Sequence, residues 1–249
     1  MPLDTRESPL TPDLLLPPPF TLVRLRELGD AFAHAISIAE AQGAGTLTYV
    51  GRFDLAEFAV VLEPEEALVN ARRAVIAGMA ALADALAAHA QPETAITIDW
   101  PGSISVNGGL VGGGRLAWPQ GIREDEIPPW LVFGAMIRTV SMNSDPGLNP
   151  LVTALEEEGF TDAMSDHVVE SFARNLMVHI DSWQEQGFGA VARNYLARLP
   201  RENGLRRDID DNGDLLVRYL RKNEVERQAL LPLLAKPSWY DPKAKGPRA

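Results

Sequence analysis

The segment Asp99-Trp100-Pro101-Gly102-Ser103-Ile104-Ser105-Val106-Asn107-Gly108-Gly109-Leu110-Val111-Gly112-Gly113 carries more structural information than any other stretch of this chain. Ala95 to Trp100 and Ile104 to Val106 read as strands, rich in β-branched residues. Asn107-Gly108 is a tight-turn signal, because both residues tolerate positive φ, and it leads into a glycine-rich strand through Leu116. The run Gly112-Gly113-Gly114 admits two readings. It is either backbone left bare for close approach of a ligand or a tight, bulged strand packed against a neighbour. It is not a dinucleotide fingerprint, since strand rather than helix follows it.

Working outward, Thr46 to Val50 and Glu57 to Leu62 are further strands, and Leu131 to Val140 is another. Gly29-Asp30 predicts the start of a helix over Asp30 to Ala41. Pro64-Glu65-Glu66 predicts a second start, with Pro in the first turn and acids near the positive end of the helix dipole. Leu68, Ala71, Val75, Met79, Leu82 and Leu86 then recur at the spacing of one buried helix face. Pro150 to Gly159, Asp166 to Gln186 and Phe188 to Leu199 are expected to be helical, and Leu205 to Asp210 and Leu215 to Tyr219 to form a hairpin around Asn212-Gly213. Helices are not interleaved one for one with strands, so the fold class is α+β, a mixed sheet with helices packed on it. Residues 1–19, with six prolines, read as an extended arm, 20–200 as the main domain and 201–249 as a small C-terminal module containing β-structure.

The 249 residues, 46% apolar and 23% charged, suit a soluble globular protein with a sizeable core. There is no cysteine, which excludes disulfides, thiolate metal sites and a thiol nucleophile. The net charge is −11, but residues 221–249 hold seven Lys/Arg against three Asp/Glu, so the body is more acidic still. An acidic body repels phosphate backbones, and no nucleic-acid partner is expected. The basic tail reads as a solvated terminus or as a contact for an acidic partner. No signal segment and no stretch long enough to span a bilayer is evident, so a cytoplasmic protein without membrane contact is expected. His34, His89, His167 and His179 lack ligand spacing, and no metal site is expected. Asp208 to Gly213 matches half of a calcium loop, but the position that needs Glu is Tyr219, so a hairpin turn is expected there.

The opening segment resembles the biotin protein ligase pattern K-W-P-N-D-[LI]-x-[VL]-x-x-x-K-[LV]-x-G. Flanking blocks resemble the same family in the same order: Trp130 to Arg138, Thr153 to Gly159, Phe188 to Leu199 and Asp208 to Val217. The resemblance is to the biotin/lipoate A/B protein ligase family and implies its class II synthetase-like fold. It also implies ATP as a cofactor, a small carboxylic acid or acyl compound as ligand, and an acceptor protein as partner.

The departures fall on the chemistry. The family's catalytic lysine aligns with Leu110, and its Asn-Asp after Trp-Pro is Gly102-Ser103. Its arginine-glycine loop is reduced to Gly51-Arg52-Phe53-Asp54, and the first of only four lysines is Lys222. A buried ammonium would ordinarily stabilise the charge that builds on carboxylate and phosphate, and the acyltransferases of this fold use a cysteine with a lysine. Neither arrangement exists here. Arginine remains, and a guanidinium can grip a carboxylate or phosphate bidentately without carrying a proton. Arg115 is therefore the expected catalytic or anion-holding residue. Arg52, Arg138, Trp100 and the backbone of Gly112, Gly113 and Gly114 are expected to bind substrate. Two functions are open: a ligase or acyltransferase of divergent active site, or a catalytically inactive binding module, a pseudoenzyme, for a small anion or a protein partner.

Overall fold

Asn107 and Gly108 both adopt positive φ (48° and 88°), closing the two-residue turn between β5 (Ser103–Val106) and β6 (Gly109–Ala117). This hairpin organises a computed structural model that describes residues 14–142, 151–161, 165–222 and 224–248. The remaining strands of the main sheet are β1 (Thr21–Leu25), β2 (Thr46–Gly51), β3 (Leu55–Leu62), β4 (Ile96–Asp99) and β7 (Leu131–Arg138). They join in the order β1-β2-β3-β7-β6-β5-β4. Only β1 and β2 run parallel; every other neighbouring pair is antiparallel. The α+β class and the mixed sheet are as the sequence implies.

One face of the sheet is covered by α3 (Ala74–Ala87), α4 (Ser165–Gln186) and α5 (Phe188–Ala197). α3 is apolar nearly all round and nearly every residue of it is buried, as expected for a helix enclosed between sheet and other helices. Phe172 meets two rings of the sheet there, tilted against Phe58 with centroids 4.6 Å apart and stacked on Phe133 at 5.5 Å. The opposite face carries α1 (Ala31–Gln42), whose alanines Ala35 and Ala39 lie against Ala59, Val61 and Val132. Asp30 caps α1 by accepting the Ala33 N–H at 2.9 Å.

Beyond α5, β8 (Leu205–Ile209), β9 (Leu215–Tyr219) and β10 (Glu224–Gln228) form a second antiparallel sheet. Asp210 and Gly213, the latter at φ 83°, close the β8–β9 turn, where Asp210 accepts the backbone N–H groups of Asn212 and Asp214. Ile209, Leu215 and Val217, with Leu230 and Leu234 of α6 (Leu230–Ala235), join the main core. The chain ends in a short ladder of β11 (Tyr240–Asp241) and β12 (Gly246–Pro247). Among the described residues no helix is long and apolar enough to cross a membrane.

Two expectations change. The helix after Pro64 begins only at Leu68, as the short α2 (Leu68–Ala71), and breaks at Arg72-Arg73 before α3. Its first N–H groups, from Leu68 and Val69, are satisfied by the carbonyls of Glu126 and Glu124, so the cap is a distant loop and not the local Pro-Glu-Glu. The helix expected over Pro150 to Gly159 is absent from its described part, 151–159. Val152 bridges to Leu110 instead, and Gly159 at φ 81° closes a turn after Thr153. Of the N-terminal arm, residues 1–13 lie outside the described residues, and Leu14 is buried against the core.

Candidate functional site

Alternation along three adjacent strands builds the site. Register pairs Leu55 with Arg138, Glu57 with Met136, Met136 in turn with Gly113, and Gly134 with Arg115. Side chains two apart share a face, so Leu55, Glu57, Met136, Arg138, Gly113 and Arg115 lie on the side opposite the large helical core. Further along β6, Ile104 pairs with Gly112 and Ser105 with Leu110, which leaves Val111 unpaired. That bulge turns Val111 into the helical core and Leu110 onto the site face.

Arg115 is the central cation. Its guanidinium carbon lies 4.1 Å from the Phe32 ring centroid and 4.5 Å from that of Tyr240, held between two aromatic faces. Its side chain is 13% exposed, and its nearest carboxylate, Asp30, is 3.6 Å away. Among the described residues it makes no hydrogen bond, so its planar fork of donors is uncommitted. Beside it Glu57 is buried and accepts the Ala31 N–H at the start of α1, 2.9 Å away. Burial pushes the Glu57 carboxyl above the usual range, against the pull of that N–H and of the Arg52 and Arg115 charges.

The other two arginines are occupied. Arg52 makes a fork to Asp54, with bonds of 3.0 Å and 2.6 Å, and this contact holds the Asp54 carboxyl below its ordinary range. Arg138 spends its donors on four main-chain carbonyls: Leu110 (3.5 Å), Thr153 (3.2 Å), Pro247 (3.3 Å) and Arg248 (3.1 Å). Arg52, Arg115 and Arg138 thus share a sheet face but do not converge on one point. Trp100 packs elsewhere, edge-on to Tyr195 of α5 at 5.9 Å, and it lines a recess of about 240 Å³ against the second sheet.

The glycine run is packed, and the packing comes from an unexpected source. A Cβ on Gly112 would lie 1.9 Å from the Met136 carbonyl oxygen, and one on Gly114 would lie 2.7 Å from Met79 and Phe133. On Gly113 it would meet the Gly102 oxygen at 2.1 Å and the Trp239 indole at 2.5 Å. Trp239 is 1% exposed, and its Nε1–H donates to the Gly114 carbonyl at 3.1 Å. With Leu55, Met136, Leu110 and Tyr240 it forms a separate apolar cluster on this face. The Ser238 and Ser103 hydroxyls bond at 2.9 Å, and the Arg248 N–H returns to the Trp239 carbonyl at 2.7 Å. The segment 238–248 is therefore a strap docked through Trp239 and Pro247, while the basic side chains of Lys236, Lys243, Lys245 and Arg248 remain exposed.

Sequence reading missed Asp30, Phe32, Glu57, Trp239 and Tyr240. Glu57 had a signal: a lone acid inside the apolar run from Leu55 to Leu62. The pair Trp239-Tyr240 had one too, two aromatics in an otherwise polar tail. The triphosphate of a nucleotide does not fit what is here. The position aligned with the ligase lysine is Leu110, packed beside Trp239, and the carboxylates of Asp30 and Glu57 stand close to Arg115. Among the described residues no group of three His, Asp or Glu could hold a metal ion.

The model of the biotin/lipoate A/B protein ligase family matches residues 16–197. A biotin protein ligase-like protein of unknown function from Silicibacter sp. TM1040 superposes with TM-score 0.76 at 26% identity, over 89% of this chain and 99% of that one. The biotin protein ligase of Aquifex aeolicus gives 0.66 at 14% identity, over 84% and 95%. That of Leishmania major in complex with biotin gives 0.54 at 14%, over 86% and 99%. The curated proteins contain no match to this chain.

Proposed function

The chain belongs to the biotin/lipoate A/B protein ligase family, and from that premise we propose that it is a binding module, holding a small carboxylate or similar compact anion at Arg115 without ligating it. The observation that carries this reading is the state of Arg115: nearly buried, stacked between Phe32 and Tyr240, and making no hydrogen bond among the described residues. A carboxylate can accept two of its N–H groups at about 2.8 Å, closer than Asp30 stands. Solved relatives bind biotin and ATP, which makes a small acid the natural ligand class to test. Against ligation stand the missing lysine and cysteine and the commitment of Arg52 and Arg138 elsewhere. An acceptor protein belongs to the ligase reading and falls with it.

Thermal unfolding in the presence of acetate, and ATP–pyrophosphate exchange with acetate, octanoate, lipoate and biotin, test the proposal together. Acetate should raise Tm, because a ligand that binds only the native state stabilises it. Arg115→Met, which keeps an unbranched chain between the two rings, should abolish the rise. No acid should support exchange. Acid-dependent exchange would establish the ligase reading instead, and an Arg115→Met protein stabilised as well as wild type would move the site elsewhere.

A further inference from the structure

The strap lies where a longer ligand would have to lie. A carboxylate on Arg115 whose chain runs back along β6 reaches Gly113 after two residues, about 7 Å. That place is taken: the Trp239 indole rests on the Gly113 backbone, closer than a Cβ there would permit, and its N–H occupies the Gly114 carbonyl. The indole also closes the space between Leu55 and Met136. It is held from both ends of the strap, by Ser238 on Ser103 and by Arg138 on the carbonyls of Pro247 and Arg248. We propose that Trp239 is a built-in occupant of the ligand face, so that the C-terminal strap restricts the cleft to compact acids and excludes those carrying a long acyl chain or a bicycle across the glycine strand. Gly113 and Gly102 are the receiving surface, bare of side chains because the indole and the facing backbone leave no room for one. Tyr240, next in the chain, walls Arg115, so the same segment that closes the floor completes the aromatic clamp.

The inference rests on the reading of this face as the ligand face, and the experiment separates the two. Trp239→Ala removes the occupant and leaves an apolar space with one carbonyl acceptor, which indole itself should refill. At ten times its dissociation constant, indole should raise the Tm of the variant by roughly 3–6 °C and leave wild type unchanged. Octanoate should stabilise wild type no more than acetate does, and should stabilise the variant more. Trp239→Leu, a milder truncation, serves if the alanine protein does not fold. A folded variant that indole does not stabilise, or a wild type that prefers octanoate to acetate, would overturn the proposal. Failure of acetate to stabilise wild type, with indole still rescuing the variant, would reject the anion site at Arg115 and keep Trp239 as the occupant.

Discussion

The two faces of the main sheet are built by different means. The helical face is closed by three helices whose apolar stripes meet around the packed rings of Phe58, Phe133 and Phe172, and its polar groups are few. The other face is closed by one alanine-rich helix and by a strap from the far end of the chain. Between them lie Arg115, Glu57, Asp30 and a strip of bare glycine backbone. The first face is held by non-directional burial, which many combinations of apolar residues could supply. The second depends on single contacts: one indole on one glycine, one guanidinium between two rings, one arginine on four carbonyls. Stability can come from either, but the second face also carries Arg115, a nearly buried cation that makes no hydrogen bond among the described residues.

The comparison can be broken at its most constrained position. Gly112→Ala places a methyl 1.9 Å from the Met136 carbonyl, at a backbone φ of 156°. β6 and β7 cannot then pair without local rearrangement, and both faces should fail together. The expected loss is about 4 kcal/mol or more, the range of changes that force backbone apart, read from urea denaturation. Next in size is Trp239→Ala, expected to cost about 3–5 kcal/mol, as for other fully buried large-to-small aromatic changes. Phe172→Ala on the helical face should cost the same. If Trp239→Ala costs less than about 1 kcal/mol while Phe172→Ala costs the full amount, the strap is a loosely attached flap and the two faces are not equivalent in energy.

Legibility in the sequence follows the same division. The helical face was readable because its signals are local and periodic. Val169, Phe172 and Leu176 recur at helical spacing, and Asn107-Gly108 states its own turn. At Pro64 only the boundary differs, because the cap comes from a loop sixty residues away, whereas 151–159 forms a bridge and turns in place of the expected helix. On the other face the decisive neighbours are remote in sequence. Gly113 and Trp239, or Arg115 and Tyr240, are brought together only by the fold, and no spacing rule relates them. Arg115 could be singled out because arginine was the chemistry left after lysine and cysteine were gone. Its partition from Arg52 and Arg138 was invisible, since it depends on Asp54 and on the carbonyls of Pro247 and Arg248. Pairing along β1, whose parallel contact with β2 closes one edge, was also missed: a five-residue edge strand carries too little pattern.

Arg138 tests whether the strap face is held by hydrogen bonds as well as by the indole. Arg138→Met removes donors from four carbonyls, two of them on the strap. The expected loss is about 1.5–3 kcal/mol, with limited proteolysis cutting after Lys243 or Lys245 faster than in wild type. Unchanged cleavage would show that Trp239 and the Ser238–Ser103 bond anchor the segment without Arg138.

The smallest effect concerns Glu57, and its sign separates a buried acid from an ion-paired one. Burial raises the folded-state pKa of this carboxyl above its unfolded value despite Arg52 and Arg115 nearby. The folded protein therefore holds the proton more tightly, and the contribution of Glu57 to stability is fully present below its unfolded pKa. It is lost as pH rises through the folded value. Glu57→Gln keeps an oxygen to accept the Ala31 N–H and removes the titration. The variant should gain on wild type as pH rises from about 4.3, the ordinary value for Glu, toward neutrality, in paired urea melts at each pH. The opposite slope would mean that Glu57 is held ionised by the arginines. The charge of Arg115 would then be spent internally, and it could not serve as the anion grip that distinguishes this face from the helical one.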